Sequence, residues 1–544
     1  MKRLLISFRL FLTLAVAFTG FNLALLPQAH AEGFYYSASP EGTVGILMPK
    51  IGFQITKSSV SAVSRISLQL DGQTVQGQFD PSTMTYTYQP TQPLATGKHQ
   101  ASITVELTGY QPIVQDWSFT ISPQAVTEAP KAYSDKQLEM VRAINDYRLL
   151  SGLPALQINP NLTMAAKLHA DYLQSNNIDV AKVSMHEQKE SQPGFIGAKP
   201  GERALYAGYY DNIAEDVSYY AGNHIESIDS LFDAPYHRIP FLLPSAKEVG
   251  VAMSGPFVVI EFGFHDSPQQ QLVVTPSPGE KYVPVTFDGN EDPDPIRMYK
   301  DASYPVGYPI VAHISGTEIG EVKLIDATLK DADGKNVELL KNSPQNDNHL
   351  IQEVILTPAK PLLPDTSYTA YVKMTSTRDG STQTFEKAWQ FQTEPAATVG
   401  KNKLHADSPA YKKLADQKGS LTHVVTFSLN GGSYTLDGVK LNMTREPAVI
   451  DGSSYLWVRD LAAALGAQVE WNDAQKAAIY TKGGRTISFF TTRPTYSLDG
   501  KETNTDVPAK LVNDNTMIPV RLLSEVLGAK VEYNPDNHSV TLTY

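Results

Sequence analysis

Three polar side chains near the middle of the sequence have types and settings suited to catalysis or metal binding. His186 precedes a Gly- and Pro-rich loop, Glu215 lies in an Ala-Glu-Asp-Val segment, and His237 follows the helix-stopping Pro235. Two imidazoles and a carboxylate can bind a divalent metal ion, or they can form a general base with its orienting partners. A third interpretation is that these groups only satisfy one another's hydrogen bonds. The residues alone leave these alternatives open.

Another histidine in the same region has a structural interpretation. His169 lies at helical spacing among apolar residues. A histidine in that setting is usually buried and held by a hydrogen bond. We therefore expect His169 to belong to the core.

Helices followed by strands must position these side chains. Ser134 and Gln137 form a capping-box pattern that predicts a helix ending before Gly152. A second helix is predicted from Asn159, with Pro160 in its first turn, and a third from about His224 to Asp233. The segments 249–253 and 257–264 are typical of paired strands. The order predicts an α+β domain with layered αβα architecture over residues 133–266.

This domain resembles the CAP superfamily (SCP-like, cysteine-rich secretory and pathogenesis-related proteins). The matching motifs are Asn145-Asp146-Tyr147-Arg148, Asn159-Pro160-Asn161-Leu162, Ala214-Glu215-Asp216-Val217, Ala234-Pro235-Tyr236-His237-Arg238 and Glu248-Val249-Gly250-Val251-Ala252. The resemblance implies an αβα sandwich whose cleft is lined by two histidines and two acids. Carried over to this chain, the metal-binding set is His186, Glu215 and His237, holding Zn²⁺ or another divalent cation. Asp229 and Asp233, which precede His237, are candidates for the fourth cleft residue.

Two all-β segments flank the central domain. Residues 32–124 and 275–395 show alternating apolar and polar residues with turn signals such as Asp71-Gly72. Both are predicted to be β-sandwich modules of immunoglobulin-like type. Residues 123–133 and 396–423 are predicted to be linkers.

The final segment, residues 430–544, contains a duplication at an offset of 62 residues. The identical pairs at this offset include Tyr434 and Tyr496, Leu436 and Leu498, Asp437 and Asp499, Gly438 and Gly500, Val458 and Val520, Arg459 and Arg521, Leu465 and Leu527, Glu470 and Glu532. Each unit is predicted to contain a hairpin, a strand leading into a short helix, and a closing strand.

The duplicated segment resembles the stalk-like N-terminal domain of copper amine oxidases. The motifs are Tyr434-Thr435-Leu436-Asp437-Gly438, Leu456-Trp457-Val458-Arg459-Asp460-Leu461 and Met517-Ile518-Pro519-Val520-Arg521. Because the segment offers only His538 as an imidazole ligand, no copper or quinone cofactor is expected. Arg459 and Arg521 are expected to hold the fold through hydrogen bonds to backbone carbonyls.

The N-terminus has the pattern of a signal peptide covering residues 1–31. Lys2, Arg3 and Arg9 precede an apolar stretch, and Ala29-His30-Ala31 supplies small residues at the cleavage position. The chain has no Cys, so the expected secreted protein is stabilised without disulfides. No second apolar stretch is long enough to span a membrane in the mature chain.

Charge excludes one class of function. The 544-residue chain carries a formal net charge of -12 and has no clustered basic run, which argues against nucleic-acid binding. We expect a secreted, extracellular protein, associated with the bacterial cell envelope or cell wall, that binds a cell-envelope polymer, a surface protein or a small lipid. The alternatives are a metal-dependent extracellular hydrolase acting on peptides or cell-wall fragments, and a lipid-binding carrier.

Overall fold

The structure is a computed structural model. It describes residues 11–15, 35–56, 63–108, 111–219, 223–265, 270–316, 318–399, 424–436, 439–465, 467–482, 485–522, 530–535 and 537–543. The predicted signal peptide and the 396–423 linker lie almost entirely outside these residues. None of the described helices is long and apolar enough to cross a membrane.

A short N-terminal strand, β1 (Phe11–Ala15), precedes the first β-module. The strands of this module are β2 (Tyr35–Ser39), β3 (Gly42–Ile46), β4 (Ile51–Thr56), β5 (Val63–Leu70), β6 (Gln73–Val75), β7 (Gln78–Asp80), β8 (Thr85–Tyr88), β9 (Gly97–Leu107) and β10 (Ile113–Val126). They form two sheets with the orders β3-β10-β9-β5-β6 and β2-β4-β8-β7. The predicted sandwich is therefore present.

Strand β10 extends further than the sequence pattern indicates. It runs to Val126, so the predicted linker at 123–133 is wrong over its first residues. Pro123 is accommodated because the pairing of β10 with β3 shifts register between Ile121 and Val126. Proline is tolerated at such irregular positions, where no ladder hydrogen bond is needed.

The central domain has the predicted order of helices and strands. Its elements are α1 (Asp135–Leu150), β11 (Gln157–Ile158), α2 (Pro160–Ser175), α3 (Pro200–Tyr206), β12 (Asn212–Tyr219), α4 (His224–Asp233), α5 (Arg238–Leu242), β13 (Ala246–Ser254) and β14 (Phe257–Phe264). The capping box is confirmed, since Ser134 N donates to Gln137 Oε1 at 2.9 Å and Gln137 N to Ser134 Oγ at 3.4 Å. The Asn159 carboxamide caps α2 as expected. The sequence reading missed α3 and α5.

The second β-module follows with strands on either side of a long irregular segment. Its strands are β15 (Gln271–Thr275), β16 (Glu291–Asp292), β17 (Ile310–Ser315), β18 (Glu321–Lys330), β19 (Asn336–Val337), β20 (Leu339–Asn342), β21 (Glu353–Pro358), β22 (Ser367–Arg378) and β23 (Ser381–Gln392), followed by a 3-10 turn at Ala396–Thr398. Two sheets form, β15-β17-β21-β20 and β19-β18-β22-β23.

One strand of the second β-module belongs to the sheet of the central domain. This sheet contains the run β13-β14-β12-β1-β16, in which β16 pairs in parallel with β1. Helix α2 packs on β13 and β14. Their shared core includes Ala166, Ala170, Leu173, Val217 and Val259. Glu291, the first residue of β16, contacts the central domain directly, because its carboxylate accepts hydrogen bonds from the backbone nitrogens of Tyr236 and His237.

The tail contains short strands and, within its described residues, a short helix. These elements are β24 (Val424–Ser428), β25 (Ser433–Leu436), β26 (Val439–Asn442), β27 (Ala448–Ile450), β28 (Ser453–Trp457), α6 (Val458–Leu465), β29 (Gln468–Asn472), β30 (Ala477–Lys482), β31 (Arg485–Phe490), β32 (Thr495–Leu498), β33 (Lys501–Asn504), β34 (Lys510–Val512), β35 (Asn515–Pro519), β36 (Lys530–Asn534) and β37 (Ser539–Thr543). Asp437 and Gly438 of the first motif, and residues 523–529 of the second repeat, lie outside the described residues.

The two repeats of the tail are related by a local two-fold axis. The sheet β27-β28-β35-β34 is symmetric about its centre, where Leu456 pairs with Ile518, the residue 62 positions later. An antiparallel strand pair centred on equivalent residues is the geometry of a two-fold interface. Both side chains are completely buried.

The repeats also exchange strands. The sheet β29-β30-β31-β32-β33 combines the closing strands of the first unit with the hairpin of the second, and β26-β25-β24-β37-β36 does the reverse. Neither unit is therefore self-contained, because each of these two sheets needs strands from both repeats. As a result, β24 at the start of the tail pairs with β37 at its end.

Candidate functional site

Two adjacent acids on β12 define the site. Glu215 and Asp216 are both completely buried. Because consecutive side chains of a strand point to opposite faces of the sheet, the two carboxyl groups belong to different environments. Glu215 pairs across the strands with Glu261 of β14, so these two acids share a face.

Both carboxylate oxygens of Glu215 are occupied. Oε1 accepts from His186 Nδ1 at 2.7 Å, and Oε2 accepts from an Arg203 guanidinium nitrogen at 2.6 Å. The side chains of Glu215 and Arg203 are fully buried, and that of His186 is 5% exposed. Helix α3 supplies Arg203, and the loop after α2 supplies His186. The result is a buried ion pair completed by an imidazole.

His169 adds a neutral ring to this cluster. Its Nε2 donates to the carbonyl of Met185 at 2.8 Å, and its Nδ1 accepts from the Gln188 amide at 3.0 Å. Burial, together with the positive charge of Arg203, lowers the pKa of His169 to about 3. The prediction of a buried core histidine is confirmed, although the ring has two hydrogen bonds and lies 3.8 Å from Glu215 Oε1.

The facing carboxyl groups of Glu215 and Glu261 have pKa values shifted in opposite directions. Burial raises the pKa of Glu215, but the Arg203 guanidinium and the hydrogen bond from His186 outweigh it and hold that pKa well below its usual range. Burial and the negative charge of Glu215 raise the pKa of Glu261 well above its usual range. The pair therefore carries one ionised and one neutral carboxyl group at neutral pH.

A second cluster forms around His237 at the start of α5. Glu291 Oε1 accepts from Tyr236 N at 2.7 Å, from His237 N at 3.1 Å and from His237 Nδ1 at 3.0 Å. A carboxylate from the second β-module thus binds the histidine of the central domain. Burial and the charge of Glu291 raise the pKa of Asp216 well above its usual range.

The structure unites two of the three predicted metal ligands. His186 and Glu215 are bonded to each other, whereas the Nδ1 atom of His237 is bonded to Glu291. Among the described residues, no group of three or more His, Asp or Glu side chains is arranged to hold a metal ion. Arg203 already supplies positive charge to Glu215, so the donor set does not fit a divalent cation in this arrangement. The metal site stays a prediction.

The acid directly across from Glu215 is Glu261, which the sequence reading did not select. Its signal was present, because Glu261 is the lone carboxylate in the apolar strand Phe257–Phe264. Of the two acids considered instead, Asp233 accepts a hydrogen bond from the Tyr308 hydroxyl at 2.9 Å. Arg203 and Glu291 had no comparable signal, since neither lies in a motif.

Sequence comparisons confirm both resemblances. Residues 141–255 match the cysteine-rich secretory protein (CAP) family, and residues 435–542 match the copper amine oxidase N-terminal domain. The chain therefore contains a domain of each kind. A search of curated proteins gives no match to this chain.

Several solved structures share similarity with parts of the chain. An extracellular protein containing an SCP domain from Bacillus anthracis str. Ames is 12% identical, with 44% of this chain and 87% of that chain covered and a TM-score of 0.21. A cysteine-rich secretory protein from Staphylococcus aureus subsp. aureus Mu50 is 13% identical, with 43% and 84% covered and a TM-score of 0.19. Fibronectin(III)-like modules from Clostridium thermocellum are 7% identical, with 68% and 98% covered and a TM-score of 0.13.

Proposed function

We propose that this chain is an extracellular binding protein of the cell envelope, in which the CAP domain is a rigid, non-catalytic component. The observation that carries the proposal is the state of Glu215. Both of its oxygens are bonded, to His186 and to Arg203, and its side chain is fully buried. A general base must reach the proton of a substrate, directly or through one water.

The electrostatics of the site also favour binding over hydrolysis. A general base works best with a pKa near the operating pH, and the pKa of Glu215 is held well below its usual range. His169 is neutral and has both ring nitrogens bonded. His237 is bonded at Nδ1 to Glu291, while its buried Nε2 has no hydrogen-bond partner among the described residues. These groups stabilise the domain and leave ligand binding to exposed surfaces.

The test combines a binding assay with an activity assay on the mature chain. Purified bacterial cell walls are incubated with the wild type, with Glu215→Gln and with Glu187→Gln, an exposed acid near His186 that serves as a control. We expect the wild type and Glu187→Gln to sediment with the walls, and no protein to release soluble wall fragments. Circular dichroism checks that each variant is folded.

Three outcomes would contradict this proposal. Release of wall fragments or peptides by the wild type, lost in Glu215→Gln, would establish a hydrolase. A rise in melting temperature with Zn²⁺ that disappears in His186→Ala and His237→Ala would establish the predicted metal site. Lipid found by mass spectrometry in the purified protein, without sedimentation on walls, would favour a lipid carrier.

A further inference from the structure

A cavity of about 540 Å³ opens on the surface of the tail. It lies between the start of α6, the strands β29 and β30, and the β34–β35 hairpin. Helix α6 and strands β29 and β30 belong to the first repeat, and the hairpin belongs to the second. The groove therefore exists only because the two repeats pack together.

Exposed apolar side chains form the walls of this groove. Trp471 is 43% exposed and Leu511 is 54% exposed, and both line the cavity together with Trp457. Large apolar side chains that stay exposed around a concave surface are typical of binding sites. The indole nitrogen of Trp471 donates to Asp473 at 3.5 Å, which favours one orientation of the ring.

Arginines stack on the second tryptophan. The guanidinium carbon of Arg445 lies 5.6 Å from the Trp457 ring centroid, and that of Arg459 lies 5.9 Å from it. The buried carboxylate of Asp460 accepts a hydrogen bond from the backbone nitrogen of Arg445 at 3.0 Å, which holds the backbone of Arg445 in place. These contacts hold the Trp457 ring in place before any ligand arrives.

The role expected for Arg459 stays a prediction. Its side chain is exposed, and within the described part of the chain it forms no hydrogen bond to a backbone carbonyl. It lines the groove, and its guanidinium lies against the ring of Trp457. Burial of the apolar side of α6 holds the helix without it.

The other polar groups of the groove balance this cation. Glu470, Asp514 and Asn515 line the cavity. Asp514 follows Asn513 in a tight turn in which both have positive φ, 47° and 60°, which presents the carboxylate at the rim. The groove thus offers both donors and acceptors, with one cation and two anions on its lining.

The two-fold axis gives this groove a counterpart. At an offset of 62 residues, Arg459 corresponds to Arg521, Glu470 to Glu532, Trp471 to Tyr533, and Leu511 to Val449. Tyr533 is 54% exposed and Val449 is 67% exposed. The apolar positions exposed in the first groove are therefore exposed in the second. Pro519 replaces Trp457, which makes the second surface the poorer of the two.

We propose that this pair of surfaces binds a neutral glycan chain, with the Trp457–Trp471 groove as the main subsite and the Tyr533–Val449 surface as a weaker second one. This inference rests on the proposed envelope-binding function and names its ligand class. Flat indole faces pack against the C–H faces of sugar rings, while mixed donors and acceptors bind hydroxyl groups. Two surfaces at a fixed geometry suit a ligand with repeating units.

The charge of the groove decides against other occupants. A phosphate-rich or acidic polymer requires an excess of cations, and the lining has an excess of one anion. An amphipathic helix needs an apolar floor, whereas Arg459, Glu470 and Asp514 interrupt this one. A proline-rich peptide also stacks on tryptophan, and the experiment below separates it from a glycan.

The experiment is isothermal titration of the mature chain with chitohexaose, a neutral hexasaccharide, and with a decaproline peptide. We expect chitohexaose to bind and decaproline not to bind. Trp471→Ala should lower the affinity at least about ten-fold, as is typical for an aromatic anchor. Tyr533→Ala should have a smaller effect on chitohexaose and a clear effect on sedimentation with long wall glycans. Leu363→Ala, an exposed residue of the second β-module, is the matched control and should change nothing.

The outcomes separate this inference from the proposed function. Sedimentation on cell walls that persists in Trp471→Ala, with chitohexaose binding unaffected or absent, would overturn the groove and leave envelope binding standing. Binding of decaproline in preference to chitohexaose would overturn the glycan assignment. Loss of both wall sedimentation and chitohexaose binding in folded Trp471→Ala would support the inference.

Discussion

At the scale of single residues, the central domain is built around the buried ion pair of Glu215 and Arg203. Glu215, Arg203 and His186 satisfy one another in the protein interior. Opposing them is Glu261, whose pKa is raised well above the usual range by burial and by the charge of Glu215. Breaking a buried pair is costly, whereas a neutral carboxyl group beside the pair is tolerated.

Replacing Glu261 should change how stability depends on pH. Glu261 keeps its proton in the folded protein and loses it on unfolding once the pH exceeds its ordinary pKa of 4.5. The free energy of unfolding therefore falls as the pH rises above that value, by up to about 1.4 kcal/mol per pH unit. Glu261→Gln removes this loss, so the variant should gain stability relative to the wild type between pH 5 and 8, as measured by urea unfolding.

The exposed substitution Glu187→Gln serves as the control for this experiment. It should follow the wild-type curve at every pH, because Glu187 is in contact with solvent. Parallel curves for Glu261→Gln and the wild type would show that Glu261 is ionised in the folded protein. His169 acts at lower pH: its lowered pKa makes the domain lose stability as the pH falls from about 6.5 toward 3.

At the scale of elements, helix α2 is seated on the sheet by a close approach to β13. A Cβ atom at Gly250 would lie 2.1 Å from the backbone carbon of Leu162 and 2.2 Å from the nitrogen of Thr163. The absence of a side chain there lets the helix backbone touch the strand. This contact fixes the layer that carries His169 and the face of β12 that carries Glu215.

Gly250→Ala should therefore destabilise the central domain strongly. Helix backbone cannot shift as easily as a side chain, so we expect a loss at or above the usual range for overpacking, about 3 kcal/mol. Chemical denaturation of the full chain measures it. Gly432→Ala is the control, since a Cβ there meets nothing within 4 Å. Equal stability of the two variants would mean that α2 does not rest on Gly250.

At the scale of the molecule, the central domain is fastened to both β-modules. Tyr206 donates to Ser122 at 3.1 Å on the side of the first module. On the side of the second module, Tyr236 donates to Asp347, which also accepts from Arg297 at 2.5 Å and from Asn342 at 3.0 Å. With Glu291 bound to His237, these contacts make a polar, largely buried interface between the central domain and the second module.

Removing Asp347 should uncouple these two domains. Asp347→Ala leaves the Tyr236 hydroxyl and one guanidinium nitrogen of Arg297 without their acceptor inside the interface, which costs desolvation free energy. The other guanidinium nitrogen keeps its bonds to the Tyr236 hydroxyl and the Asp294 carbonyl. Scanning calorimetry should then show a transition that is broader, or split, relative to the wild type. Asp333→Ala, in an exposed turn of the same module, should leave the profile unchanged. A wild-type profile for Asp347→Ala would show that the interface does not couple the domains.

Local patterns in the sequence were enough to locate the modules, the caps and periods of α1, α2 and α4, the burial of His169 and the duplication in the tail. Such features depend on neighbouring residues and on periodicity, which the chain carries explicitly. The family resemblance placed His186, Glu215 and His237 in one set, of which the structure brings His186 and Glu215 into direct contact.

Tertiary structure alone decided which distant groups meet. The register of β12 on β14 brings Glu261 to Glu215, helix α3 delivers Arg203 to the same carboxylate, and β16 carries Glu291 to His237. The packing of the two repeats against each other creates the groove at Trp471. None of these contacts has a local signature in the sequence. Strand register and long-range packing are set by the total burial of whole faces of the sheets and helices, not by the individual residues that come into contact.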